Sequence, residues 1–129
     1  MKIYFTKKNG FPESYMSHDN QHALCCWLEE NVSPINHYRK YLSGFKRVYK
    51  GKDESKHVML NGFNITVNKS ISVIRTNYYD EFIEEGCNEG FPMETIMETK
   101  ELLRIFELRL EFKVSQNKND FETNVDIKQ

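Results

Sequence analysis

Four side chains in the first quarter of the chain are of types that bind metals or act as nucleophiles: His18, His22, Cys25 and Cys26. On a helix, His18 and His22 would share one face, and His22 and Cys26 would lie one turn apart. A zinc site needs a second pair of ligands at short spacing elsewhere, in the manner of Cys-x2-Cys or His-x3-His. The sequence offers no such pair, so the expectation is a polar helix start followed by small buried thiols. Cys-His nucleophilic catalysis needs the two groups in hydrogen-bond reach and a third group to orient them. Cys26 stands next to Trp27 on the apolar side of its segment, which points to the core instead. No catalytic residue, metal ligand or cofactor is assigned, and the chain reads as a binding protein rather than an enzyme.

The charges carry more information than their sum of -1 suggests, because they are sorted along the chain. From Arg75 to Lys100 there is no Lys or Arg between, while Asp80, Glu81, Glu84, Glu85, Glu89, Glu94 and Glu98 supply seven carboxylates. Glu94 and Glu98 suit the start of a helix. The other five are interleaved with Tyr78, Tyr79, Phe82 and Phe91. Carboxylates packed this closely repel one another, and the mixture is that of a surface that captures a basic partner: charge steers the encounter and rings anchor it. Tyr78, Tyr79, Asp80, Glu81, Glu84, Glu85 and Glu89 are the candidate partner-binding residues. Paired carboxylates also suggest glycoside hydrolysis or a cation site, but there is no Asp-rich loop with EF-hand spacing.

The opposite charge gathers earlier, in Arg39, Lys40, Lys46, Arg47, Lys50, Lys52 and Lys56, interleaved with Tyr38, Tyr41, Phe45 and Tyr49. Cations for phosphates and rings for bases are what a nucleic-acid surface needs. Tyr38, Tyr41 and Phe45 recur at helical spacing, however, and suit the core, leaving the cations as a solvated face. A pI of about 6.4 also argues against a strong non-specific binder.

The elements that must position these sets follow from periodicity. At 129 residues the chain is read as one domain, 1–114, with a mobile tail over 115–129 rich in Asn, Lys and Asp; Phe121, Val125 and Ile127 leave room for a docked segment there. Lys2 to Thr6 reads as a strand, Asn9-Gly10 as a turn, and Phe11 to Ser17 as a returning strand that Pro12 confines to an edge or to its own start. A helix is expected from Asp19 or Asn20 to about Asn31, and a second one from the Ser33-Pro34 start, with Ile35, Tyr38, Tyr41, Leu42 and Phe45 as its stripe. Asn61-Gly62 predicts a two-residue hairpin in which Leu60 faces Phe63, Val58 faces Ile65 and Lys56 faces Val67, with His57 opposite Thr66 on the other face. Ile71 to Thr76 adds a third strand. Thr95 to Lys113 is expected as one helix, opened by a capping box of Thr95 and Glu98 and buried through Ile96, Leu103, Phe106 and Leu110; the alternation at its end also allows a strand. The fold class is α+β: an antiparallel sheet of the N-terminal strands and the hairpin meander, with helices packed on one face.

Several segments resemble the YacL-like family of small bacterial proteins. The likeness lies in the aromatic N-terminal strand, in Met16-Ser17 followed by His22 and by Trp27 with Glu29-Glu30, in Asn61-Gly62, and in Asn77-Tyr78-Tyr79-Asp80 with Glu81 ahead of an apolar C-terminal helix. Cys25 and Cys26 stand where the family pattern has a Gly before the Trp, and the acidic stretch and tail are longer. The resemblance implies an α+β fold and carries no site.

No run approaches the roughly 18 apolar residues that would span a bilayer, Lys7 and Lys8 interrupt any secretory-type start, and three cysteines, two of them adjacent, make no disulfide framework. The expected location is therefore the cytosol. The expected function is that of an immunity protein which neutralises a basic nuclease toxin by occluding its substrate-binding surface, as in contact-dependent growth inhibition. A nucleic-acid-binding module using Arg39 to Lys56 is the alternative.

Overall fold

The computed structural model describes residues 2–8, 11–16, 35–60, 62–84, 94–114 and 119–127. Strand β1 (Lys2–Lys8) and strand β2 (Phe11–Met16) pair antiparallel, from Ile3 opposite Met16 to Lys8 opposite Phe11. Pro12, which has no N–H to give a ladder, sits opposite Lys7 on the edge strand β2, as expected. Ile3 and Phe5 point into the core and Tyr4 to the other face. The helix expected over residues 19–31, the Ser33-Pro34 cap and Trp27 lie outside the described residues.

Helix α1 (Ile35–Tyr49) buries Tyr38, Leu42, Phe45 and Val48, four positions of one helical stripe, while Ile35 and Tyr41 are half-buried at its margin. Its end is set by Gly51, at φ +80°, a left-handed conformation that costs glycine nothing. The amide of Gly51 donates to the Val48 carbonyl at 3.0 Å and that of Lys52 to the Arg47 carbonyl at 2.9 Å, which satisfies the last carbonyls of the helix.

Strands β3 (Ser55–Met59), β4 (Phe63–Asn68) and β5 (Ile71–Thr76) form the expected meander. Val58 pairs with Ile65, Lys56 with Val67 and His57 with Thr66, and the Leu60 amide reaches the Phe63 carbonyl at 2.9 Å. A short helix, α2 (Tyr79–Glu84), follows. The core face of the sheet carries Val58, Ile65, Val67 and Ile74.

The segment expected as a single helix from Thr95 to Lys113 is two elements. Strand β6 (Glu94–Glu98) pairs with β5 and completes a four-stranded sheet in the order β3-β4-β5-β6; helix α3 (Thr99–Val114) starts at the next residue. Thr95 and Glu98 are therefore strand residues and form no capping box. The pairing of Ile74 with Thr95 and of Val73 with Ile96 takes up the backbone groups that a helix start would have left open. Thr99 makes the corner: its amide donates to the Ser70 carbonyl at 2.9 Å, and its buried hydroxyl donates to the Asn68 carbonyl and lies 2.8 Å from Ser72 Oγ. The buried stripe of α3 is Leu102, Leu103, Ile105, Phe106, Arg109 and Phe112; Leu110 and Ile96, both expected in the core, are half-buried.

Strand β7 (Phe121–Asn124) overturns the expectation of a mobile tail for its part of the chain. It pairs antiparallel with β1, Phe5 opposite Phe121 and Lys2 opposite Asn124. The physical reason is aromatic packing: Phe121 stacks on Phe5 at 4.7 Å between ring centroids and meets Phe112 of α3 edge-on at 5.7 Å. Arg104 of α3 also holds β7, donating to the Thr123 hydroxyl at 2.9 Å and to the Asn124 carbonyl. The N-terminal strands thus belong to a separate three-stranded sheet, β2-β1-β7, and do not extend the meander. The fold is α+β with two antiparallel sheets. Helix α3 links them, its Phe106 stacking on Tyr38 of α1 at 4.7 Å and meeting Phe45 at 5.3 Å, and its Phe112 reaching Phe5 at 5.8 Å.

Candidate functional site

Asn77 positions the acidic segment. Its amide donates to the Gly62 carbonyl at 2.9 Å, its side-chain nitrogen donates to the Leu60 carbonyl at 2.7 Å, and its side-chain oxygen accepts from Asn64 Nδ2 at 3.0 Å. The end of β5 is thereby tied to the turn end of the β3–β4 hairpin. Tyr78 and α2 emerge directly from this anchor.

Along α2, Asp80, Glu81 and Glu84 are exposed and take part in no ion pair among the described residues. Asp80 and Glu81 in the first turn suit the helix dipole, but Glu84 lies four and three residues on from them, the spacing at which like charges repel. Arg75, the one cation nearby in sequence, is engaged elsewhere: it donates to the Glu94 carboxylate across the β5–β6 pair, and its guanidinium lies 4.6 Å from the centroid of the Tyr79 ring. Tyr79 is consequently half-buried beneath a cation, and the exposed apolar groups of this face are Tyr78, 58% exposed, and Ile83, 45% exposed. Of the candidate residues the structure brings together Tyr78, Asp80, Glu81 and Glu84 at the surface, with Tyr79 beneath; Glu85 and Glu89 lie outside the described residues.

The basic set becomes the outer side of α1 and the loop after it. Arg39, Lys40, Arg47, Lys50, Lys52 and Lys56 are exposed. Lys46 pairs with Glu107 of α3 at 2.6 Å, and Arg47 pairs with Asp53 at 2.9 Å, a bond that holds the Asp53 carboxyl below the usual carboxylate range. On one side of α1 a hollow of about 280 Å³ is lined by Arg39, Ser43, Lys46, Arg47, Lys50 and Lys52. On the other side, a hollow of about 400 Å³ lies between α1 and β3.

One buried cation went unread in the sequence. Arg109 stands on the core face of α3, in the environment of Tyr38, whose hydroxyl is pushed well above its ordinary pKa by burial, an effect that Arg109 partly opposes. Lys113, 5.5 Å from the Tyr38 ring centroid, is pulled below the ordinary lysine value by burial and by Arg109. Position three after Phe106 on a stripe ending in Phe112 is the only signal that could have placed Arg109 inside.

Among the described residues no three His, Cys, Asp or Glu side chains gather so as to hold a metal ion, and no helix is long and apolar enough to cross a membrane. His18, His22, Cys25, Cys26 and Cys87 lie outside the described residues. No protein-family model, curated protein or solved structure matches the chain.

Proposed function

We propose that this protein is a small cytosolic immunity protein that neutralises a basic nuclease toxin by covering the toxin's substrate-binding surface. The observation that carries the reading is the outer face of α2. Three carboxylates, Asp80, Glu81 and Glu84, repel one another there without an intramolecular counterion among the described residues, and they flank two exposed apolar side chains, Tyr78 and Ile83. Repulsion in the free protein that a cationic partner relieves is a source of binding energy, and a nuclease must present cations to hold its substrate. The exposed ring and the isoleucine supply the desolvated centre that such contacts need. Occlusion requires neither a cofactor nor a catalytic group on this chain.

The test uses the product of the neighbouring gene as the partner. Changing Asp80, Glu81 and Glu84 together to Lys should leave the unfolding midpoint of the free protein close to wild type and abolish both capture of the partner and protection of cells. Tyr78→Ala should speed dissociation, with a loss of at least about 2 kcal/mol if the ring is an anchor. Association of the wild-type pair should slow as ionic strength rises through about 0.1–0.15 M, where charges more than about 8–10 Å apart are screened. A triple reversal that still protects cells sinks the assignment of α2 as the interface.

A further inference from the structure

Both sheets end in edge strands, and these edges are not alike. On β2, Pro12 interrupts the row of amide donors; β7 is four residues long; on β6, Thr95 and Met97 are buried. On β3, by contrast, Ser55, Lys56, His57 and Met59 are all exposed. Antiparallel pairing turns the N–H and C=O of every second residue of an edge strand outward. The Leu60 amide bonds the Phe63 carbonyl, so the backbone groups of Leu60, and with it of Val58 and Lys56, face β4, while those of Ser55, His57 and Met59 face away from it. These three donors and three acceptors are spaced for a further strand, and no group among the described residues takes them.

What lies beside this edge selects the strand. The hollow of about 400 Å³ between α1 and β3 is lined by Lys56 and Val58 from the core-facing side of β3 and by His57 and Met59 from its outer side. A hollow touched from both faces of a strand opens along its edge, here beneath the shoulder of α1 that carries Lys40. The His57 ring stays on the outer face, its Nδ1 2.8 Å from the Thr66 hydroxyl, and Met59, 64% exposed, gives that face an apolar contact. On the inner side stand two cations. Lys40 and Lys56 are exposed and in no ion pair among the described residues; Asp53, the carboxylate that Lys56 feels, already accepts from Arg47.

We propose that the β3 edge binds an extended acidic segment of another protein as a further strand of the sheet, its main chain on Ser55, His57 and Met59 and its alternate carboxylates toward Lys40 and Lys56. A second copy of this chain, joined edge to edge about a two-fold axis, would bring Lys40 and Lys56 of both copies into one seam, where like charges repel. A nucleic acid would meet the lysines but has no amide donors for the outward carbonyls of β3. An acidic strand answers both the backbone and the cations. This surface is separate from α2, and the proposal does not rest on the toxin reading.

The experiment is an NMR titration of the isotope-labelled full chain with the end-capped peptide Thr-Glu-Val-Glu-Thr-Glu-Val, read by amide hydrogen exchange. At saturation the amides of Ser55, His57 and Met59 should become protected, while those of Lys56 and Val58, bonded to β4 beforehand, change little. The same peptide N-methylated at its Val and inner Thr residues keeps every carboxylate but loses its donors, and should bind at least about tenfold more weakly. The exposed double reversal Lys40→Glu/Lys56→Glu should weaken the acidic peptide at least about fivefold and admit a peptide with Lys in place of each Glu. Its unfolding midpoint checks that it is folded, and the N-methylated peptide tests the pairing on wild-type protein. The proposal is overturned if about 1 mM peptide leaves the three β3 amides unprotected. It is equally overturned if the N-methylated or the Lys peptide binds wild type as well as the acidic one, because pairing or charge then plays no part. Displacement of the peptide by oligo-U at equal concentration would point to nucleic acid instead, and a β3-to-β3 dimer in sedimentation would show that a second copy already fills the edge. Protection against a toxin through α2 is measured separately, and its failure would leave these outcomes unchanged.

Discussion

The β3–β4 hairpin and the segment from Glu94 to Val114 are both antiparallel partners in one sheet for part of their length, yet one is written in its own residues and the other is not. In the hairpin a two-residue turn signal fixes the loop length, the loop length fixes the register, and alternation fixes the buried face. Every pairing from Lys56 with Val67 to Val58 with Ile65 follows from residues within a dozen positions. In Glu94–Val114 the strand-to-helix change falls between Glu98 and Thr99 with no loop, no Gly and no Pro to mark it. What decides it is distant: the exposed edge of β5 on one side, and on the other the Asn68, Ser70 and Ser72 groups that hold Thr99. Local chemistry fixes the hairpin, and tertiary contacts fix β6 and α3.

If that contrast is right, the second segment should be most sensitive to its packing. Phe106 is fully buried where α3 meets both Tyr38 and Phe45 of α1. Phe106→Ala should cost about 3–5 kcal/mol through lost burial and the cavity left behind. Chemical denaturation checks it. A loss below about 1 kcal/mol would mean that α3 is held by local signals after all.

The corner itself offers a sharper test, because the two readings of the segment put the decisive hydroxyl at different places. Thr99→Val strips hydrogen-bond partners from the Asn68 carbonyl and the Ser72 hydroxyl in a buried setting and should cost about 1–3 kcal/mol. Glu98→Ala, which would remove half of a capping box if a helix began at Thr95, changes an exposed strand residue and should stay within about 0.5 kcal/mol of wild type. The reverse ranking of the two variants would restore the helix over Thr95–Lys113.

The same distinction explains what was legible in the sequence. Strands β1 to β5 and helix α1 each carry a turn, an alternation or a stripe of their own, which is enough to predict them. Val58, Ile65, Leu103 and Phe106 are core both by pattern and in the fold, whereas Ile96 is half-buried because it lies on strand β6 and not on a helical stripe, and Leu110 is half-buried at the margin of the α3 stripe. Strand β7 was missed for a related reason. FETN alternates but is only four residues long, and it is held by Phe5, more than a hundred positions away, and by Phe112, nine positions away. For the surfaces, sequence showed which residues were charged but not which charges were spent. Only the folded chain reveals that Arg75 is taken by Glu94 and Tyr79, or that Lys46 is taken by Glu107.

The smallest effect concerns the hold of α3 on β7, and it can be read through pH. Arg104 donates to Glu101 three residues earlier on the same helix while also reaching Thr123 and Asn124. The hydrogen bond from Arg104, more than its charge, keeps the Glu101 carboxyl below the ordinary glutamate value of 4.5, with partial burial working the other way. A carboxyl whose pKa is lower folded than unfolded binds fewer protons in the native state, so its contribution to stability is present above that ordinary value. The contribution fades as pH falls below it and through the folded value. Wild-type protein should therefore lose more stability between pH 6 and pH 3 than Arg104→Met, which keeps much of the stem but no donor. The variant should start lower at pH 6 and the two curves should converge in acid. Because Arg104 is partly exposed, solvent screens the pair and the difference is expected to be modest. Parallel curves from pH 6 to pH 3 would show that Glu101 plays no part in fastening the last strand, leaving that role to Phe121 on Phe5 and Phe112.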